Sequence, residues 1–318
     1  MRLRLALLAA LALLAVACNR DRQRRIAVIP KGTAHVFWQT VHAGAAAAGQ
    51  EFHAQILWDG PPTETDYGRQ LEIVDSMLNS HVDGMVVAAA DRTTLNAALD
   101  RAARENVPVV IFDSGVDSTN YVTFVATNNF EGGQLGARKL GQLLNGKGSV
   151  AMIENTPGSA STMERESGFK DVIAKEFPGI RIVAEQYSMS DRAKGLSATE
   201  NILTAHPDLN GIFASSEPSS VGASQALKSR GLAGKIRLVA FDSSEGLVDD
   251  LSAGVIDALV AQDPYKIGYE AVRAVTEKLD GKTPTKKMDL SAVVITKADL
   301  EKPEIKQLLH PDLSKLAK

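Results

Sequence analysis

Two aspartates stand at the ends of two similar runs. Val109-Val110-Ile111-Phe112 leads into Asp113-Ser114, and Leu238-Val239-Ala240-Phe241 leads into Asp242-Ser243. Both runs are apolar and of the buried-strand type. In open α/β sheets the ligand crevice lies at the carboxyl ends of the strands. Two such tips facing one another would each present a carboxylate to a shared cleft, where an ionised acid makes short, charge-assisted hydrogen bonds. Taken singly, either Asp serves equally well as an N-cap after a strand. The pair together favours the cleft.

Other patterns offer less. Gly141-Gln142-Leu143-Leu144-Asn145-Gly146-Lys147 has the spacing of a phosphate-binding loop. Gly148 follows where that loop needs a Ser or Thr hydroxyl, and the segment closes a helix where the motif must open one. Gly146 and Gly148 suit a helix C-terminus and turn. No G-x-G-x-x-G follows a strand, and H-E-x-x-H and G-x-S-x-G are absent. The six histidines (His35, His42, His53, His81, His206, His310) are scattered, so no metal site and no cofactor are expected. No nucleophile or base with a third orienting group stands out, so the chain reads as a binder and not as an enzyme.

These residues sit on alternating strands and helices. Short apolar runs predict strands at 26–30, 55–58, 84–88, 109–112, 122–125, 150–153, 181–184, 211–214, 237–241, 258–260 and 292–295. Helices are predicted near 37–52, 66–80, 93–105, 130–145, 161–176, 192–205, 219–230, 244–253 and 265–280, with Asp191 and Ser219 as N-caps and Gly231 past a C-terminus. Such alternation means parallel sheets with helices on both faces. About eleven strands are too many for one such sheet, so two lobes are expected. The chain has 318 residues, 44% hydrophobic and 23% charged, with net charge −3. That balance is globular and carries no basic footprint for nucleic acid.

The first 17 residues are of another kind. Arg2 and Arg4 precede an unbroken apolar run from Leu5 to Ala17. It is short of the ~20 residues that span a bilayer and reads as a secretory signal. Cys18, the one cysteine, excludes an internal disulfide framework or a C-x-x-C pair. Loss of residues 1–17 would remove two arginines and no acids, taking the net charge from −3 to −5. Residues 18–25 are polar after the cysteine and read as a solvated tether.

Ala15-Val16-Ala17-Cys18 resembles the lipobox of bacterial lipoproteins, departing at Ala15, where that family prefers Leu. The resemblance implies cleavage before Cys18 and lipid on it, hence a membrane-anchored, extracytoplasmic lipoprotein on the periplasmic side. The alternative is an ordinary signal peptide with a chance cysteine.

A broader resemblance covers about residues 26–298. It runs through Ile26–Pro30, Phe37-Trp38, Val82-Asp83-Gly84-Met85-Val86-Val87, Pro108 to Asp113, Asn128-Asn129 and Gly132-Gly133. It continues through Arg165-Glu166-Ser167-Gly168-Phe169, Leu203 to Asp208, Val239-Ala240-Phe241-Asp242 and Ala261-Gln262-Asp263-Pro264. In order and spacing these resemble the periplasmic sugar-binding proteins of the ribose-binding type. The resemblance implies a two-lobe type I periplasmic binding protein, each lobe a mostly parallel doubly wound sheet, joined by a three-stranded hinge. Lobe one would comprise 26–127 plus 263–289, lobe two 128–262 plus 290–298, with crossings near Thr127/Asn128, Gln262/Asp263 and Met288–Leu290. Residues 299–318 would be an extension, with a helix over Lys302–Leu309.

The function so implied is that of a monomeric receptor that binds a sugar between the lobes and delivers it to an ABC-type membrane permease. The alternative is a subunit presenting its ligand to a membrane chemoreceptor or sensor kinase. By position in the family's motifs, Asp113 and Arg165 match an acid and a base gripping hydroxyls from opposite lobes. Asp242 matches a second acid and Gln262 a hinge amide. Phe37 and Trp38 match an aromatic wall over the sugar's C–H face. Ser216 stands where Asn is frequent. Lys31 and His35 replace small or amide residues in the first loop. Ser114 replaces an Arg, and Ser190 lies near an aromatic position of ribose binders, which leaves the second wall and ribose itself open. Structural alternatives are a hydrophobic staple for Phe37 and Trp38, a surface pair for Arg165 and a solvated Lys31 at the cleft rim. Lys31 and Arg165 balance Asp113 and Asp242, which suits a neutral ligand; were Lys31 left free, an acidic sugar would fit.

Overall fold

The computed structural model describes residues 22–311, 313 and 316; the apolar leader and Cys18 lie outside them. The first lobe opens with β1 (Arg24–Ile29), α1 (Val36–Glu51), β2 (Ala54–Trp58), α2 (Tyr67–Asn79), β3 (Gly84–Val87), α3 (Asn96–Arg104), β4 (Val109–Phe112) and β5 (Phe124–Thr127). The second follows with α4 (Asn129–Leu143), β6 (Lys147–Glu154), α5 (Ala160–Glu176), β7 (Gly179–Tyr187), α6 (Arg192–Ala205), β8 (Gly211–Ala214), α7 (Glu217–Ser229), β9 (Arg237–Phe241), α8 (Glu245–Ala253) and β10 (Ala258–Ala261). The chain then returns to the first lobe for α9 (Pro264–Leu279) and β11 (Lys287–Leu290). It goes back to the second for β12 (Val293–Ile295) and ends in α10 (Pro303–Leu309).

The two sheets have one plan. Their orders are β11-β5-β4-β3-β1-β2 and β12-β10-β9-β8-β6-β7. Every neighbour pairs in parallel except β12, antiparallel to β10. A parallel sheet must be covered on both faces. Accordingly Val86, Val110 and Val125 join one core cluster of the first lobe, while Met85, Val109 and Ile111 join another. Each such buried side chain contributes about 1.5–3 kcal/mol.

Matching strands place matching residues. Asp113 follows β4 and Asp242 follows β9, in the same position of each sheet. The Asp113 amide donates to Val125 O and that of Asp242 to Val260 O, both at 2.9 Å. Both residues take left-handed backbone angles, φ 54° and 68°. That region is uncommon for residues other than Gly, although Asp is among those that enter it.

The helix pairs beside the hinge repeat as well. A Cβ on Gly133 of α4 would lie 1.9 Å from Arg165 O of α5, and one on Gly168 of α5 would lie 2.0 Å from Phe130 O. In the first lobe Gly268 of α9 meets Val41 O, and Gly44 of α1 meets Tyr265 O, equally closely. The missing side chains let the helix backbones touch, which fixes where α5 presents Arg165.

Four details depart from the sequence reading. Arg24 and Arg25 belong to β1, not to a tether, paired with Ala54 and Gln55. Arg24 Nη1 reaches Asp280 Oδ1 at 2.6 Å. Ser216, not Ser219, caps α7. The strand Lys287–Leu290 was not foreseen, and Leu290 pairs with Thr127 in the first sheet. The third crossing therefore falls at Ser291-Ala292, past the expected Met288–Leu290. The C-terminal helix packs Ile305, Leu308 and Leu309 on the core of the second lobe. No helix among the described residues is long and apolar enough to cross a membrane.

Candidate functional site

The strand tips of the two lobes meet around a small cavity. Its lining includes Lys31, His35, Phe37, Trp38, Glu64 and Asp113 from the first lobe. The second lobe adds Asn155, Thr162, Arg165, Ser190, Ser216, Glu217, Pro218 and Asp242, and Gln262 completes it at the hinge. Nine of the ten residues expected at a ligand site thus come together. The tenth, Ser114, lies beside them, its hydroxyl accepting the Ser161 amide across the lobes at 3.3 Å. The cavity measures about 30 Å³, room for roughly two waters. Larger grooves lie beside Tyr121 and Phe130 and along α10, and neither gathers Asp113.

Lys31 follows β1 and is 4% exposed, so it is no rim residue. Its Nζ lies 3.2 Å from Asp113 Oδ2 and 3.8 Å from Glu64 Oε2. It also donates to the Ser159 and Ser161 hydroxyls of the opposite lobe. Glu64 was not foreseen. It accepts from Trp38 Nε1 at 2.8 Å. Burial opposes its charge, but Lys31, His35, Trp38 and Ser190 outweigh burial and hold its pKa below the ordinary value. Trp38 meets Phe37 edge-on at 4.9 Å and Phe112 at 6.1 Å, which fixes the aromatic wall of the first lobe.

Arg165 is 3% exposed, which excludes a surface pair. Its Nε donates to Asn129 Oδ1 at 2.8 Å and its Nη1 to Ser215 O at 3.0 Å. The guanidinium lies 3.9 Å from the centre of the Phe241 ring and its Nη1 3.8 Å from Asp242 Oδ2. Asp242 accepts from Gln262 Nε2 at 2.6 Å and from the Glu217 amide at 2.9 Å. Burial raises its pKa, Arg165 and these donors oppose the rise, and the charge of Asp113 across the cavity adds to it.

His35 spans the lobes, with Nε2 3.2 Å from Ser190 O and Nδ1 3.6 Å from Glu217 Oε2. Glu217, also unforeseen, is paired with Arg192. An acid at the first position of a helix ordinarily answers the helix dipole, and nothing local in the sequence says that this one is buried. The second lobe offers Pro218 and no aromatic ring among the described lining residues. Two acceptors of the lining, Asp113 Oδ2 and Gln262 Oε1, have no hydrogen-bond partner among the described residues. The former lies 3.2 Å from Lys31 Nζ as an ion pair. Among the described residues no cluster of His, Cys, Asp and Glu suits a metal ion.

Comparison with known proteins agrees with this geometry. Residues 26–283 match the family described as periplasmic binding protein domain. The chain is 31% identical over 219 residues to the ribose import binding protein of Bacillus subtilis, covering 69% of this chain and 70% of that one. It is 30% identical over 299 residues to the D-ribose/D-allose-binding protein of Pseudomonas aeruginosa, covering 91% and 92%. A carbohydrate transporter solute binding protein from Agrobacterium radiobacter, in complex with D-arabinose, superposes with a TM-score of 0.89 at 31% identity, covering 91% of this chain and all of that one. An ABC transporter solute binding protein from Agrobacterium vitis with bound D-fucose gives 0.87 at 34% identity, over 90% and 100%. With its twin parallel sheets, three crossings and carboxylates on equivalent strand tips, the chain belongs to the periplasmic binding protein family and has the type I fold.

Proposed function

We propose that this protein is an extracytoplasmic receptor that binds a neutral sugar between its lobes and delivers it, chemically intact, to an ABC-type permease. The observation that carries the reading is a pair of buried acceptors beside the Trp38 wall that take no hydrogen bond from the described residues, Gln262 Oε1 and, its ion pair with Lys31 apart, Asp113 Oδ2. A buried acceptor without a donor costs about 1–3 kcal/mol, and sugar hydroxyls remove that cost. Asp113, Asp242 and Arg165 grip hydroxyls, Gln262 and Ser216 accept or donate at the hinge side, and Phe37 and Trp38 cover the C–H face.

Charge favours a neutral ligand. Lys31 is engaged by Asp113 and Glu64, Arg165 by Asp242, and His35 by Glu217. No cation of the lining is left over for a carboxylate, so the acidic sugar that a free Lys31 would have suited loses its support. The names of relatives as import binding proteins support a permease as the partner over a sensor.

The mechanism is a population shift. The cavity of about 30 Å³ is too small for a ring, so the lobes part to admit the sugar and close again around it less tightly than here, and its contacts with both lobes favour that closed arrangement over the open one. Lys31, His35 and Ser114 already contact the second lobe, so the closed arrangement has its own latch. Lipid on Cys18 would keep the receptor at the membrane, each buried CH₂ contributing about 0.8 kcal/mol.

A thermal-shift screen of pentoses, hexoses, polyols and sugar acids tests this reading. A binder at a hundredfold excess over Kd stabilises by about 2.7 kcal/mol. A neutral sugar should raise Tm and be recovered unchanged, and sugar acids should not. A response to sugar acids alone, or to none of the compounds, would contradict it.

A further inference from the structure

Glu166 stands next to Arg165 on α5 but does not line the cavity. Its Oε1 accepts from the Asn155 amide at 3.1 Å and from the Ser215 hydroxyl at 2.8 Å. Asn155 follows β6, and Ser215 follows β8. Both bear directly on the ligand site: Ser215 O holds Arg165 Nη1, and Asn155 Oδ1 accepts from Ser216 Oγ at 3.1 Å. One carboxyl thus joins two strand tips.

The first lobe shows what that job requires. There Gln70 donates to Pro30 O at 2.9 Å and to Ala88 O at 2.8 Å, and accepts from the Ala90 amide at 3.0 Å. Pro30 follows β1 and Ala88 follows β3, the strands equivalent to β6 and β8. A neutral amide ties the first pair of tips, and a carboxyl ties the second.

We propose that Glu166 is a positioning residue of the ligand site, holding the ends of β6 and β8 in one register so that Asn155, Arg165 and Ser216 face the cavity together. The surroundings make this tie sensitive to protons. Burial, then the neighbouring Glu154, push the carboxyl up to about 8, against the Asn155 and Ser215 hydrogen bonds and the more distant Lys170. Lys170 is itself held by Glu154 and Glu185, and Tyr187 faces Glu154 and Glu166. At neutral pH Glu166 is therefore mostly protonated, the isostere of the amide that serves the first lobe. Ionisation strengthens the two hydrogen bonds that Glu166 Oε1 accepts but places a second negative charge beside Glu154, so the geometry of the tie changes with pH.

The test rests on the receptor reading for one arm only. The variants Glu166→Gln and Glu166→Ala are made in the full chain, and circular dichroism checks that they fold. In the first arm, NMR of the protein without ligand follows the Arg165 Nε–H, Asn155 and Ser216 signals. They should be displaced in Glu166→Ala and restored in Glu166→Gln, with the rest of the second lobe in place. They should shift with pH near 8 in the wild type and not in Glu166→Gln. In the second arm, D-ribose, D-allose, D-arabinose and D-fucose are titrated at pH 7 and 9. Affinity should change at least fivefold between them in the wild type and stay flat in Glu166→Gln. In Glu166→Ala it should be at least tenfold weaker at pH 7. Signals in Glu166→Ala that match the wild type, or affinities within threefold of it, overturn the proposal. If none of the four sugars binds the wild type, the receptor reading is in difficulty and the NMR arm still decides this one.

Discussion

Replacing Asp113 with Asn removes one charge and little else. The left-handed backbone at this position, φ 54°, is tolerated by Asn, so the fold is not asked to adopt new strain. Lys31 loses its 3.2 Å counter-charge but keeps Glu64 and the Ser159 and Ser161 hydroxyls. A hydrogen bond to a charged group contributes about 1.5–3 kcal/mol, and one between neutral groups about 0.5–1.5. The difference is about 1–2 kcal/mol for one sugar hydroxyl, or about 5–30-fold in affinity at 1.4 kcal/mol per factor of ten. Isothermal titration of the sugar found by screening should show that loss, with Tm changed by a few degrees at most. Asp117→Asn is the control, since that exposed acid pairs with Arg92 away from the cavity and should leave affinity unchanged. An Asp113→Asn variant that binds within threefold of the wild type would refute the assignment of Asp113 to the ligand.

Three further outcomes follow from the same geometry. Gly133→Ala forces a Cβ to within 1.9 Å of Arg165 O, so α4 and α5 must part; overpacking of this kind costs about 1–3 kcal/mol, and denaturant unfolding should show a loss of that size together with weaker sugar binding. Glu166 has a native pKa of about 8, above its unfolded value, so the native state holds a proton that the unfolded state releases. Wild-type stability should fall as pH rises from about 4.5 to about 8, and Glu166→Gln should lack that decline, so its Tm advantage grows across this window. Cys18→Ser should move the protein from the membrane fraction to the soluble extracytoplasmic fraction, and a variant still pelleting with membranes would argue against the lipid anchor.

The parts of the site written locally were legible, and those made by tertiary contact were not. Asp113 and Asp242 each follow an apolar strand, so the sequence carries both strand and tip. Arg165 and Gln262 came through the family pattern. Glu64 sits in the polar stretch Pro61–Asp66, which reads as solvated until Trp38 Nε1 and Lys31 are placed against it. Glu217 reads as an ordinary first-turn acid until Arg192 and His35 arrive from elsewhere. Lys287–Leu290 alternates polar and apolar residues, but with only four residues, two of them charged, at a sheet edge, the pattern is too short to stand out from a loop. Arg24 and Arg25 look like tether because their partners, Asp280 and Asp83, are distant in sequence.

A crystal structure grown with the sugar selected by screening bears most directly on the claim that equivalent strand tips clamp a neutral sugar. The ring should lie against Trp38, with hydroxyls within hydrogen-bond reach of the Asp113 and Asp242 carboxylates, Arg165 and Gln262. Density for the sugar in the groove beside Phe130 or along α10, with the Asp113 and Asp242 carboxylates untouched, would contradict it.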